Sequence, residues 1–192
     1  MTPIVLVFGT SHVGKSTFAR QLGARLGWQV FGTDEMGRHP GRPWPEVREP
    51  VAEHYTRLSD ETIYWFLKVH QDNMWPHLRH LVTQASAMGV PGIFEGSALR
   101  PEFLATLDLP GTVPLGLVAP GELVRARIVA GSRYHEQDEA RRLLIDKFIA
   151  RSVRQNAEFI AVATQHGLPL LDVENEAEVA ERLEAMAVAL GG

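Results

Sequence analysis

Short apolar runs alternate along this chain with longer segments in which apolar residues recur every three or four positions. The first run, residues 3–8, has no polar interruption in Ile4-Val5-Leu6-Val7-Phe8, which is typical of a strand buried on both faces. The same pattern predicts further strands at 28–31, 90–95, 112–118 and 168–173. Helical spacing predicts helices at 15–26, 101–107, 122–130, about 142–166 and 176–189, and two helices within 58–88, broken at Pro76.

Strands that alternate with helices predict a parallel sheet with helices on both sides, because each crossover between parallel strands is right-handed and covers one face. We therefore expect a three-layer α/β/α fold with a five-stranded parallel sheet, formed by a single domain over residues 1–192. Residues 37–50 contain four prolines, and this segment is predicted to be a loop.

Composition narrows the classes of function. The net charge of the 192 residues is −4, so no global basic field favours nucleic acid as a partner. The absence of cysteine excludes disulfides and thiolate chemistry and fits a reducing compartment. No apolar stretch is long enough to span a membrane, and the first apolar run is too short for a signal peptide. We expect a cytoplasmic protein that does not bind membranes.

The strongest motif follows the first strand directly. Residues 9–16, Gly9-Thr10-Ser11-His12-Val13-Gly14-Lys15-Ser16, match G-x-x-x-x-G-K-[ST] between a predicted strand and a predicted helix. The backbone N–H groups of such a loop surround a phosphate, and the helix N-terminus adds its positive dipole end. Together with Thr17, these residues are predicted to bind ATP or ADP, and we call residues 9–17 the phosphate cradle. Lys15 is expected to reach the β- and γ-phosphates as a catalytic residue, and Ser16 to bind Mg²⁺.

Other classes of P-loop protein fit less well. A GTPase needs a base-reading N/T-K-x-D segment, which the sequence lacks, and Asp108-Leu109-Pro110-Gly111 is better explained as a turn. Motor and AAA-type ATPases need an apolar strand ending in Asp-Glu, which is also missing. The length of the chain suits a small kinase.

Two acidic residues follow predicted strands at the sheet edge where ligands bind in open α/β folds. Asp34 comes just after the second strand, and Glu95 ends the third, where a Walker-B-like acid holds a Mg²⁺-bound water or an acceptor group. Arg100 could bind an anionic acceptor through two parallel hydrogen bonds from its guanidinium group. Ordinary structural roles remain open for all three: a turn aspartate, and surface charges.

With these segments in view, the chain resembles the P-loop small-molecule kinases: shikimate kinase, gluconate kinase, chloramphenicol phosphotransferase, zeta-toxin-like sugar-nucleotide kinases and 2-phosphoglycerate kinase. The stretches that carry the resemblance are FGTDEMGRHPGRPW at 31–44, IFEGSALRP at 93–101 and ELVRARIVAGSRYHE at 122–136. It implies a P-loop NTPase fold of the nucleoside-monophosphate-kinase type. Shikimate kinases have an additional acid where this chain has Gly32, which disfavours shikimate as the acceptor.

The resemblance also implies roles for individual residues. Asp34 would contact the acceptor hydroxyl as a catalytic residue, with Arg38, Glu95 and Arg100 around the acceptor. Arg127 would lie against the adenine. Arg133 would reach the transferring phosphoryl group from a lid at 131–141. A solvated basic helix end is the alternative explanation for both arginines.

The remaining charged and aromatic residues are less informative. Some of the arginines at 141, 142, 151 and 154 could reach an anionic substrate, and most are expected to be surface charge. His39 beside Arg38 is similar to the zeta-toxin-like pattern. Asn156 falls on an apolar stripe, where it either makes a buried polar contact or reaches the cleft. The acceptor is expected to bind within about 34–88, where five aromatic residues could form walls, although core positions are commoner for them: Trp44, Tyr55, Tyr64, Trp65 and Trp75.

The sequence thus predicts an ATP- and Mg²⁺-dependent phosphotransferase that moves the γ-phosphoryl group to a small-molecule acceptor, most simply a hydroxyl. Two alternatives stay open: a P-loop protein that hydrolyses ATP for regulation or assembly without an acceptor, and a nucleic-acid 5′-kinase, which the net charge disfavours. The identity of the acceptor and the oligomeric state do not follow from the sequence.

Overall fold

The computed structural model describes residues 2–37 and 40–191, and it contains a five-stranded, wholly parallel sheet. The sheet order is β2-β3-β1-β4-β5, with Ile4 of β1 in register with Gly92 of β3 and Thr112 of β4. The strands are β1 Ile4–Phe8, β2 Gln29–Gly32, β3 Gly92–Gly96, β4 Thr112–Val118 and β5 Leu170–Asp172. The predicted parallel α/β sheet is confirmed.

Helices cover both faces of this sheet. They are α1 Lys15–Leu26, α2 Glu49–Arg57, α3 Asp60–Ala87, α4 Pro101–Ala105, α5 Gly121–Gly131, α6 Glu139–Gln165 and α7 Glu176–Gly191. The central strand β1 is buried throughout, and its successive side chains enter two different apolar cores. Val5 and Val7 pack in the core that includes α1 and α7, whereas Ile4, Leu6 and Phe8 pack in the core that includes α3. The three-layer arrangement follows from this two-sided burial.

Two predictions about the segment between β2 and β3 are wrong. The predicted loop at 37–50 ends earlier, since α2 begins at Glu49 with Pro50 in its first turn, where a missing N–H costs no helical hydrogen bond. The predicted break at Pro76 does not occur, because α3 runs through this proline from Asp60 to Ala87. Buried side chains on both sides of Pro76, among them Leu67, Leu78 and Val82, hold α3 in place, and tertiary packing outweighs the local cost of the proline.

The carboxyl ends of β1 and β3 are closed by glycines whose backbone other residues could not adopt easily. Gly9 has φ +148°, and a Cβ at this position would clash with the carbonyl oxygen of Leu117. Gly96 has φ +155°, and a Cβ there would strike the side chain of Thr33. Both glycines therefore let the chain turn tightly at the edge where the sequence places its chemistry.

In the part of the chain that the structure describes, no helix is long and apolar enough to cross a lipid bilayer.

Candidate active site

The phosphate cradle joins β1 to α1 and is fastened to α6. Gly14 caps α1 with φ +94°, and His12 adopts a left-handed φ of +66° although it is not glycine. The buried Thr10 hydroxyl lies 3.0 Å from the carbonyl oxygen of Ser152 and 2.9 Å from Oε1 of Gln155, so its one hydrogen is shared between two acceptors. These contacts hold the start of the cradle against a long helix, which gives the loop a fixed shape before any ligand binds.

Lys15 lies inside the cradle and is 7% exposed. Its Nζ donates a hydrogen bond to the carbonyl oxygen of Thr10 at 2.7 Å. Burial lowers the pKa of this ammonium group, and the carboxylates of Asp34 and Glu95 oppose that shift. The cradle thus holds a lysine whose charge costs free energy in the free protein and would be compensated by an anionic ligand.

Ser16 and Glu95 meet beside the cradle. The Ser16 hydroxyl, in the first turn of α1, donates to Oε1 of Glu95 at the end of β3 across 2.7 Å. A hydroxyl and a carboxylate are hard oxygen donors of the kind that Mg²⁺ prefers. Among the described residues, no group of three or more histidine, aspartate and glutamate side chains forms a closed metal cage. The residues present fit an ion that keeps several waters and takes its other ligands from phosphate, as Mg²⁺ does.

Asp34 lies in a short 3₁₀ turn, Thr33–Glu35, directly after β2. It is exposed and lines a cavity of about 690 Å³ together with Arg42, Trp44 and Arg48. The structure therefore brings Lys15, Ser16, Asp34 and Glu95 to the same edge of the sheet, as the sequence predicts for carboxyl ends of neighbouring parallel strands.

On the other side of the cradle lies a cavity of about 410 Å³ with a mainly apolar lining. Its lining residues come from the cradle, α1, α5 and the start of α7, among them Val13, Phe18, Arg127 and Val179. The Arg127 guanidinium donates to the carbonyl oxygens of His12 at 3.5 Å and of Val173 at 3.4 Å. Arg127 thus forms a wall of a cleft next to the cradle.

Three other arginines of the sequence prediction lie in different surroundings. Arg133 is exposed, with a left-handed φ of +50°, and its guanidinium lies 3.8 Å from Glu136. Arg100 is buried in a network of carboxylates with Glu102, with Asp72 at 3.1 Å and with Glu158 at 3.6 Å. Arg38, like His39, lies outside the described residues. Within 2–37 and 40–191, neither Arg100 nor Arg133 forms an ion pair or a hydrogen bond with a cradle residue.

Two further arginines, Arg42 and Arg151, lie close to the site. Arg151 projects from α6 into a narrow cleft shared with Ser11, Asp34 and His70, and its guanidinium carbon lies 4.3 Å from the centroid of the Phe148 ring. Its Nε is buried without a hydrogen-bond partner. The sequence does not decide which of the helix arginines reaches a substrate and which is surface charge. Arg151 is buried, as are its neighbours Ser152, Gln155 and Asn156. These polar residues recur at helical spacing from Phe148, and this spacing was the signal in the sequence that could have singled out Arg151.

Asn156 makes a buried polar contact, the first of the two predicted possibilities. Its Nδ2 donates to the carbonyl oxygen of Ala119 at 2.7 Å, which ties α6 to the end of β4.

Of the five aromatic residues considered as acceptor walls, Trp44 lines the cavity beside Asp34. Tyr55 is fully buried in a core, Trp75 stacks on Phe103, and Trp65 is 61% exposed.

Comparison with known proteins adds information about the fold. No protein-family model and no curated protein matches the sequence. Among solved structures, an unliganded sugar kinase from Janibacter sp. HTCC2649 is similar at 21% identity and a TM-score of 0.59, over 99% of this chain and 97% of that one. A gluconokinase from Sinorhizobium meliloti 1021 is similar at 17% identity and a TM-score of 0.56, over 98% and 95% of the two chains. Deoxyadenosine kinase from M. mycoides with bound dATP gives 16% identity and a TM-score of 0.53, over 95% and 98%.

These likenesses extend over nearly the whole length of each chain. The predicted resemblance is confirmed at the level of the fold: this chain has the fold of the P-loop small-molecule kinases.

Proposed function

We propose that this protein is an ATP-dependent phosphotransferase that moves the γ-phosphoryl group of ATP to a hydroxyl of a small polar acceptor. The observation that carries the proposal is the meeting of Lys15, the Ser16–Glu95 pair and Asp34 at one sheet edge, next to a polar cavity of about 690 Å³. The fold of the similar kinases supports it.

The chain's own residues divide the work between nucleotide and acceptor. The cradle N–H groups and Lys15 bind the β- and γ-phosphates and offset the charge on the transferring group. Ser16 and Glu95 would hold Mg²⁺, which would neutralise part of the charge on the phosphates. Arg127 and the apolar lining of the 410 Å³ cavity would hold the base.

Asp34 serves the acceptor. Its carboxylate accepts a hydrogen bond from the acceptor hydroxyl and orients that oxygen for in-line attack on the γ-phosphorus. As the new oxygen–phosphorus bond forms, the bond from phosphorus to the β–γ bridging oxygen breaks and ADP leaves with that electron pair. The hydroxyl proton passes to Asp34 and then to solvent.

The cavity indicates the chemical character of the acceptor. Its lining carries both signs of charge, from Asp34 and Glu46 on one hand and from Arg42 and Arg48 on the other, with Trp44 as an apolar wall. This lining suits a small molecule with several polar groups, such as a polyhydroxylated or anionic metabolite, better than an apolar acceptor. Arg38 and Arg100 remain predictions as acceptor-binding residues.

A metabolite-library screen for acceptor-dependent ADP release tests the proposal. With the acceptor identified, Asp34→Asn should lower turnover by about a hundredfold or more, the scale of general-base catalysis, and leave Mg-ATP affinity nearly unchanged. Asp108→Asn, in the turn before β4, is the matched control and should leave turnover unchanged. ADP release that no metabolite accelerates, and that Asp34→Asn does not slow, would instead favour a regulatory ATP-hydrolysing protein.

A further inference from the structure

We propose that Arg42, from the loop between the 3₁₀ turn and α2, is a catalytic residue that contacts the γ-phosphoryl group during transfer. The proposal rests on the proposed function, because it assigns to a residue on the acceptor side of that site the positive charge that phosphoryl transfer requires. It differs from the sequence prediction, in which Arg133 of a lid has this role.

The loop is fixed on both sides of Arg42. On one side, the buried Tyr55 hydroxyl donates to the carbonyl oxygen of Gly41 at 2.9 Å. On the other side, the Trp44 ring is 8% exposed and packs against Phe148 with a centroid distance of 4.9 Å. The same Trp44 ring lies 5.6 Å from the ring of His12, a residue of the phosphate cradle. Arg42 therefore stands between two anchors, one of which rests on the cradle itself.

The charge of Arg42 is available to a ligand. Its side chain is exposed and lines the cavity that also contains Asp34, and among the described residues it forms no ion pair with a carboxylate. Its guanidinium also acts on the cradle: after burial, which is the largest cause, Arg42 contributes to lowering the pKa of His12 and of Lys15. An anion that binds between Lys15 and Asp34 would lie within the field of this free cation.

The other arginines near the site lie in different surroundings. Arg133 is directed toward Glu136 and its side chain is 76% exposed. Arg127 donates to backbone carbonyls at the base cleft, and the guanidinium carbon of Arg151 lies 4.3 Å from the centroid of the Phe148 ring, in a narrow cleft that it shares with Ser11 and Asp34. Arg48 lines the same cavity as Arg42, and among the described residues neither forms an ion pair with a carboxylate. Of these two, Arg42 is the one whose charge contributes to lowering the pKa of His12 and of Lys15, which places it beside the cradle.

In the reaction, Arg42 would donate hydrogen bonds to non-bridging oxygens of the γ-phosphoryl group while the acceptor oxygen bonds to phosphorus and ADP departs. No proton is transferred from Arg42, because a guanidinium stays protonated in proteins. The residue supplies charge and geometry only. It follows that the loop that selects the acceptor also completes the charge on the transferring group.

The test compares a triphosphate with a diphosphate, which needs no knowledge of the acceptor. Calorimetry measures the Kd of the non-hydrolysable analogue Mg-AMP-PNP and of Mg-ADP for the wild type and for Arg42→Ala and Arg42→Gln. Both variants should weaken Mg-AMP-PNP by about tenfold or more and change Mg-ADP by less than twofold, because the lost contact is to the third phosphate alone. Arg57→Ala, an exposed arginine of α2 paired with Glu53, is the matched control and should change neither.

An unchanged ratio of the two dissociation constants in both Arg42 variants would overturn the assignment. So would Arg133→Ala if it alone weakened Mg-AMP-PNP selectively, since the lid would then carry the charge. Failure of the wild type to bind either nucleotide would refute the proposed function itself, which separates the two outcomes. The exposure of Arg42 means that the substitutions should leave the fold intact, and an unchanged melting temperature checks this.

Discussion

Replacing Lys15 by methionine should separate nucleotide binding from folding. Methionine keeps an unbranched side chain of similar length and removes the ammonium group, which is buried and donates to the carbonyl oxygen of Thr10 at 2.7 Å. Burial lowers the pKa of Lys15, which means that the charged form is costly in the free protein. We therefore expect Lys15→Met to weaken Mg-ATP binding strongly while leaving the free protein about as stable as the wild type.

The magnitudes follow from these contacts. Loss of a charge-assisted contact to phosphate costs about 1.5–3 kcal/mol, which corresponds to a roughly 10- to 150-fold weaker Kd. In the free protein, the loss of the hydrogen bond to Thr10 and the relief from burying a charge oppose each other, and the net change in the free energy of unfolding should stay within about 1 kcal/mol. For a chain of this size, this is a shift in Tm of about 2–4 °C or less.

Thermal unfolding with and without Mg-ATP measures both effects. At a nucleotide concentration of about 100 times the wild-type Kd, binding stabilises the wild type by about 2.7 kcal/mol, and a tenfold weaker variant gains only about 1.4 kcal/mol. Lys147→Met is the matched control, because Lys147 also donates to a backbone carbonyl, that of Leu58 at 2.6 Å, but lies outside the site. Equal stabilisation of Lys15→Met and the wild type by Mg-ATP would refute the role of Lys15 in the cradle.

Three further expectations concern other parts of the structure. If residues 131–141 form a lid, their amide hydrogens should exchange quickly in the free protein and more slowly when Mg-ATP and acceptor are bound. Equal exchange rates with and without these ligands would argue for a fixed loop. The pKa of His12 is lowered from 6.5 to about 4, first by burial and then by the positive charges of Arg42, Lys15 and Arg151. Between these two pH values the unfolded chain binds a proton that the folded chain does not bind. The stability that is present above pH 6.5 should therefore be lost as the pH falls toward 4. His12→Asn, which tolerates the left-handed backbone, should flatten this dependence by up to about 1.4 kcal/mol per pH unit in urea unfolding, whereas parallel curves would contradict the cause. Glu158→Gln removes the carboxylate that accepts hydrogen bonds from Tyr64 at 2.6 Å and from Lys68 at 2.9 Å. In the same assay, this substitution should lower the free energy of unfolding by about 2 kcal/mol. An unchanged free energy of unfolding would mean that these hydrogen bonds add nothing to stability.

The sequence predicts the sheet, its helices and the cradle because each depends on local patterns. The local conformation is set within a few residues, by an apolar run such as Ile4–Phe8 for the strand and by the spacing of Gly9, Gly14 and Lys15 for the cradle. The sequence also predicts that Glu95 lies at the sheet edge beside the cradle, since carboxyl ends of parallel strands meet there, whereas its hydrogen bond with Ser16 is known only from the structure. These features need no knowledge of distant side chains.

The errors arise where tertiary contacts outweigh local signals. Proline is read as a breaker, yet Pro50 fits the first turn of α2 and Pro76 is carried within α3 by the packing around it. The sequence does not show which arginine contacts a ligand, because Arg42 and Arg133 differ in their surroundings in the folded protein. That difference depends on Glu136 beside one and on the anchoring of Trp44 beside the other.

The order of the elements along the chain has a consequence for the evolution of substrate specificity. The 3₁₀ turn, α2 and α3 all lie between β2 and β3, so one uninterrupted stretch of the gene, residues 33–91, encodes most of the acceptor side. Such a stretch can be exchanged between relatives by recombination while β1, the cradle and α1 stay untouched. The contact of Trp44 with His12 is the point at which a foreign segment would have to fit the cradle. A library of chimeras that keeps this aromatic pair should therefore yield more folded, nucleotide-binding proteins than one that varies it.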